Sequence, residues 1–222
     1  MIDRTPEPEL MEGLEQARAY AEEDFSEPNE LFLNRFRLLQ PQTPEAARVL
    51  DLGCGPADIC LRFARAYPRT RILALDGSEA MLAHARSALE REPELAPRVR
   101  LLCATLPSGR IGEAGYDIVL SNSLLHHLHD PEVLWETIKT AAKPGATVLV
   151  MDLFRPPSEA AAAALVAAHA ATAPEVLRRD FHNSLLAAFT PEEVEEQLRA
   201  AGLEQLWVER VSDRHLAVCG RI

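Results

Sequence analysis

No stretch of this 222-residue chain is long enough and apolar enough to span a bilayer. The alanine-rich run at 160–173 is broken by His169 and is only weakly hydrophobic. The start, Met1-Ile-Asp-Arg-Thr-Pro-Glu-Pro-Glu, lacks the basic-then-apolar character of a secretion signal, so a cytoplasmic location is expected. Cysteine is scarce: Cys54, Cys60, Cys103 and Cys219 are scattered over expected core elements and a glycine turn. No pair has metal-ligand spacing, which reads as reduced thiols. There is no Lys/Arg-rich run and almost no lysine (Lys139 and Lys143), while the net charge is −11. Polyphosphates are drawn to basic surfaces, so nucleic acid is not an expected partner and a small organic ligand is. Repeats and low-complexity tails are absent. What remains is ordinary for a soluble globular protein, 47% hydrophobic and 26% charged, and the length suits one domain, monomeric or homodimeric.

The most informative stretch is Arg48-Val-Leu-Asp51-Leu-Gly53-Cys54-Gly55-Pro-Ala-Asp58, followed by a helix-compatible run to Tyr67. It predicts a strand, a tight glycine turn and a helix, the arrangement that lets a ligand lie against bare backbone. A carboxylate at Asp51 would repel a pyrophosphate but suits an ammonium or sulfonium. The third glycine of a dinucleotide fingerprint is Asp58 here, so the pattern favours S-adenosylmethionine over NAD. Further on, Arg71-Ile-Leu-Ala-Leu-Asp76 predicts a second strand ending in an acid, the usual acceptor for both ribose hydroxyls. Ser78 can cap the next helix, whose Met81, Leu82, Ala85 and Leu89 keep helical spacing.

With these residues the chain resembles the class I S-adenosylmethionine-dependent methyltransferases. Val49–Gly55 is similar to their first motif and Leu75–Met81 to their second. The likeness continues through Tyr116–Asn122 and Lys143-Pro-Gly145, covering roughly 46–153. It implies an α/β fold: a Rossmann-like seven-stranded sheet with helices on both faces, a terminal antiparallel hairpin and a helical cap. It also implies a cofactor site of Tyr20, Asp51, Gly53, Cys54, Gly55, Asp76, Gly77, Ser78, Met81, Asn122 and Ser123. Relatives often carry an Asp after the third strand for the adenine amino group. Here Cys103 falls at that place, leaving the Ala104 N–H or Thr105 to read the ring.

Strands are expected near 48–52, 71–76, 99–103, 116–122 and 146–153, with helices near 57–67, 78–91 and 131–142. Such alternation means a parallel sheet wound with helices. Before it, residues 1–45 read as a cap of two helices, one marked by Leu10, Leu14, Ala17 and Ala21. The other carries Leu31, Phe32, Arg35 and Phe36, and Pro41 and Pro44 separate the cap from the first strand. Tyr20, Asp24 and Phe25 lie where relatives fold a helix across the cofactor. After the core (46–153) comes a helical insertion at 154–189, expected to be a substrate lid offering Arg178, His182 and Ser184. Residues 190–222 form a terminal helix opened by the capping box Thr190-Pro-Glu-Glu193, then two β segments.

Leu120-Ser-Asn122-Ser123-Leu-Leu-His126-His127-Leu-His129-Asp130 leaves the fourth strand at the ligand-binding edge. The histidine spacing i, i+1, i+3, with Asp130 alone nearby, does not suggest a metal, and none is expected. A neutral histidine is a competent base for a phenol, enol or amine, so His127 is the first catalytic candidate and His126 its fallback. The reading is methyl transfer to a small organic molecule. Methylation of a protein or RNA group and a non-catalytic cofactor-binding module are the alternatives.

Overall fold

The computed structural model describes residues 2–42, 46–113 and 115–222, so Pro44 lies outside the described residues. Its strands are β1 (Arg48–Leu52), β2 (Arg71–Asp76), β3 (Val99–Cys103), β4 (Tyr116–Asn122), β5 (Ala142–Leu153), β6 (Leu206–Arg210) and β7 (His215–Arg221). They form one sheet in the order β3-β2-β1-β4-β5-β7-β6. The first five are parallel and β7 enters antiparallel against β5, carrying β6 at the edge. This is the seven-stranded α/β fold with its terminal hairpin. β5 begins at Ala142, four residues earlier than the apolar run suggests, because Ala142 pairs with Tyr116 across a register shift.

Period-two burial sends alternate side chains to opposite faces. Leu50 and Leu52 of β1 join one core with Trp135 and Ile138, whereas Val49 joins the other with Phe32, Phe36 and Phe63. Each such buried side chain contributes about 1.5–3 kcal/mol relative to exposure. The helices are α1 (Leu14–Glu22), α2 (Ser26–Leu39), α3 (Asp58–Ala66), α4 (Glu79–Glu90), α5 (Glu132–Ala141), α6 (Glu159–His169), α7 (Glu175–Ala187) and α8 (Pro191–Ala200). The cap helix α2 belongs to the core: Phe36 meets Phe63 and Tyr67 edge-on, with ring centroids 4.8 and 5.3 Å apart. Leu10 lies before α1 rather than within it.

Among the described residues, no helix is long and apolar enough to cross a membrane. The insertion is a helical pair, α6 against α7, resting on Leu153. Buried Arg155 ties it down, donating to the Ala188 and Ile2 carbonyls and pairing with Glu193 at 2.5 Å. Glu193 also closes the expected capping box on Thr190.

Candidate active site

The parallel strands bring their carboxyl ends to one edge, and the first turn there is shaped by backbone. Gly53 and Gly55 hold φ of +73° and +52°, which side chains rarely tolerate. A Cβ on Gly53 would also come within 2.9 Å of Leu124, whereas at Gly55 nothing stands within 4 Å. Bare backbone therefore faces open cavity at Gly55. The Leu75 carbonyl accepts from the Gly53 and Cys54 N–H groups at 2.8 and 2.9 Å, pinning the turn to β2. Asp76 holds it from the other side. Its Oδ2 accepts from Gly55 N–H and its Oδ1 from Ser78 N–H, both at 2.8 Å. Each oxygen keeps a lone pair for a ligand hydroxyl.

Asp51 is buried, and its Oδ2 has no hydrogen-bond partner. Burial, then the charge of Asp76, pushes its carboxyl up to about 7. A buried carboxylate without a partner is costly, and a cationic ligand group removes that cost. Asn122 Oδ1, at the end of β4, is a second buried oxygen without a partner. One cavity of about 950 Å³ joins Asp51, Asp76 and Asn122. An anion for an ammonium, an acceptor for ribose and unhindered backbone between them fit S-adenosylmethionine.

Tyr20, Cys54, Gly77, Ser78 and Met81 line the same cavity, as do Ala104, Thr105 and Ser123. Tyr20 stacks at 4.6 Å on Phe25, and burial pushes its phenol up to about 12. Cys103 is different: it is exposed at the end of β3 and is not among the cavity walls. The Ala104 N–H already donates to the Asp76 carbonyl at 3.0 Å, so of the two groups expected to read adenine Thr105 remains.

His126 and His127 form a 3-10 turn after β4 (Leu125–His127) and both line the cavity. His126 Nδ1 lies 2.5 Å from Asp152 Oδ1, and its backbone N–H donates to Asp152 Oδ2. Burial alone would lower this imidazole, but the charge and hydrogen bond of Asp152, with Glu7, raise it overall. His127 goes the other way. Burial and the neighbouring His126 push it down to about 3. Of the two imidazoles, His127 is therefore the weaker base. Asp152, near the end of β5, is the functional residue that sequence reasoning missed. An acid inside the run Val148-Leu-Val-Met-Asp152-Leu153 was the signal, since a buried acid needs a partner.

The N-terminal segment was missed as well. Arg4 donates to the carbonyls of Ala187, His126 and Leu128, and its guanidinium lies 3.9 Å over the Phe189 ring. Ser78 Oγ donates to the Met11 carbonyl, and Leu10 sits against Gly77, leaving no room there for a Cβ. Glu7 accepts from Ser184 Oγ at 2.9 Å and comes within 3.6 Å of His126 Nε2 and 3.3 Å of His127 Nδ1. Residues 2–13 thus strap the site from above.

On the insertion, helical spacing turns Leu177, Asp180, Phe181 and Ser184 to the cavity. Arg178 and His182, on other sides of α7, are not among its walls, and Arg178 is exposed. Arg214 does line it, held by Asp213 at 3.0 Å.

Residues 50–148 match the family model of a methyltransferase domain. A trans-aconitate 2-methyltransferase of Variovorax paradoxus is 33% identical over 107 residues, 48% of this chain and 39% of that protein. A ubiquinone biosynthesis O-methyltransferase of Sinorhizobium medicae is 31% identical over 168 residues, 73% of this chain and 62% of that protein. The chain thus spans less than two thirds of the length of these curated relatives. A crystal structure of an S-adenosylmethionine-dependent methyltransferase from Aquifex aeolicus superposes with a TM-score of 0.68 at 19% identity, covering 93% of this chain and 98% of that one. Residues 50–148 thus form a domain of the methyltransferase family, and the strand order and a donor set suited to the sulfonium cofactor agree with the class I S-adenosylmethionine-dependent fold.

Proposed function

We propose that this protein transfers the methyl group of S-adenosylmethionine to a small organic molecule seated between the His126–His127 turn and α7. The observation carrying this is the unpartnered Asp51 oxygen, which shares one cavity with Asp76 and both histidines. The cofactor supplies an electrophilic methyl group, so the protein's work is alignment and exclusion of water. Asp51 binds the ammonium, Asp76 the ribose, and the bare turn at Gly55 lets the ligand approach. Leu177, Phe181 and Ser184 of α7 form the acceptor's side of the cavity. Asp152 fixes the His126 ring through Nδ1 and leaves Nε2 to meet the acceptor's protic group.

A small acceptor is favoured by the covering strap and insertion and by the charge of −11. The relatives' names, trans-aconitate and ubiquinone biosynthesis, point the same way. The test is transfer of labelled methyl from S-adenosylmethionine to panels of small hydroxylated, carboxylated and amino acceptors, with RNA and protein alongside. Turnover confined to the macromolecules would overturn the small-acceptor reading. Failure to bind S-adenosylhomocysteine would overturn the activity.

A further inference from the structure

Glu7, His126 and His127 bring one carboxylate oxygen and two imidazole nitrogens within 4.8 Å of one another. Glu7 Oε1 is 3.6 Å from His126 Nε2 and 3.3 Å from His127 Nδ1. Neither contact is a hydrogen bond. The first is too long, and His127 Nδ1 is buried with no hydrogen-bond partner. Donors about 2.0–2.1 Å from a tetrahedral ion stand about 3.3 Å from each other, close to both spacings.

The groups behind these three atoms are those a metal site needs. A ligating histidine usually gives its other ring nitrogen to a carboxylate or a backbone carbonyl, which fixes the tautomer and aims the free nitrogen. His126 gives Nδ1 to Asp152 in this way. Ser184 Oγ steadies Glu7 at 2.9 Å. The histidine spacing argued against a metal only while Asp130 was the nearest acid in sight. The strap supplies another, 119 residues before His126.

We propose that Glu7, His126 and His127 bind a divalent first-row transition ion such as zinc, beside the acceptor. The inference rests on the acceptor seat described above. Two histidines and one carboxylate leave coordination positions open, and imidazoles select such ions over calcium or magnesium. Both imidazoles line the cofactor cavity, so the open positions suit an oxygen of the acceptor. The ion then meets that oxygen in place of a free imidazole.

The full-length protein, stripped with chelator, is titrated with cobalt(II) and then with zinc. Binding of S-adenosylhomocysteine is measured in parallel by calorimetry. We expect one cobalt per chain with visible d–d absorption, displaced by zinc. Glu7→Gln and His127→Ala should each weaken it at least tenfold, and Asp152→Asn about 10–100-fold through its support of His126. S-adenosylhomocysteine affinity should stay within about twofold in Glu7→Gln. No saturable site, or a site indifferent to both Glu7→Gln and His127→Ala, overturns the proposal. If His127→Ala does not fold, Glu7→Gln decides alone, since Glu7 lies outside every helix and strand. Loss of S-adenosylhomocysteine binding in the wild type would sink the methyltransferase activity, while the cobalt data would still decide the ion.

Discussion

Asp51 and Asp76 stand on adjacent parallel strands, two residues apart in register, and open into one cavity. Asp76 is satisfied by two backbone N–H groups, while Asp51 has an oxygen with no partner. The charge of the first adds to burial in raising the second to about 7. In the proposed function the pair divides the cofactor's recognition between a nucleoside contact built on the turn and an ionic contact completed by the ligand.

That division predicts a pH dependence. Asp51 is protonated in the free protein below about 7 and must ionise to hold an ammonium. S-adenosylhomocysteine affinity should rise up to about tenfold per pH unit as pH approaches 7, then level off. Methylthioadenosine, which lacks the amino-acid tail, should bind nearly independently of pH. The folded-state value is raised, so Asp51 stabilises the ligand-free fold at low pH and that contribution is lost as pH rises through 7. The ligand-induced gain in Tm should grow over the same window. Calorimetry and thermal melts from pH 5 to 8 check both. Parallel profiles for the two ligands would remove Asp51 from the ammonium.

Asp76→Ala should weaken S-adenosylhomocysteine roughly 10–100-fold, since bonds to a charged acceptor are worth about 1.5–3 kcal/mol. The same substitution frees the N–H groups of Gly55 and Ser78, so the turn loosens as well. Asp76→Asn, which keeps an acceptor oxygen, should recover part of the affinity. A dissociation constant unchanged in Asp76→Ala would mean that the ribose lies elsewhere.

His126→Ala should cut kcat at least tenfold with S-adenosylhomocysteine affinity held within about twofold, because the proposed function sets this ring against the acceptor and gives the cofactor to Asp51 and Asp76. Asp152→Asn should lower kcat in the same direction by releasing the Nδ1 contact. Steady-state kinetics beside calorimetry separate the effects. Full turnover in His126→Ala would take the pair out of the reaction.

What was legible in the sequence follows from what local pattern can encode. β1 to β4 and α3 to α5 are visible because apolar period, Gly53, Gly55 and the caps are local signals. Asp51 and Asp76 are visible for the same reason, each at or next to the end of a strand beside a turn. The strap is not, since residues 2–13 form no regular element and their bonds run to partners more than 60 residues away. Leu10 continues the apolar spacing of α1 yet packs on Gly77 instead, a tertiary contact winning over local period. Arg178 and His182 carried suitable chemistry, but helix phase turns Leu177 and Ser184 to the cavity in their place. Cys103, expected beside the adenine ring, is not among the cavity walls either.

The strap makes the last prediction. Arg4 joins four parts of the site's upper wall through three carbonyls and the Phe189 ring, and its guanidinium is partly withdrawn from water. Charge-assisted bonds of this kind hold a segment that has no helix or strand of its own. On the proposed reading, residues 2–13 and the α6–α7 insertion form a cover that parts for the ligand, since Leu10 lies against Gly77 and Glu7 joins His126 to Ser184 of α7. Arg4→Ala should therefore leave the core's melting temperature nearly unchanged while raising the S-adenosylhomocysteine off-rate several-fold. Hydrogen exchange should quicken over 2–13 and over α7 in the variant. In the wild type, ligand should slow exchange in both segments together, as expected where a cover closes over bound cofactor. Protection appearing only around Asp51 and Asp76, with α7 and the strap unaffected, would mean that the cover is static and the ligand enters by another route.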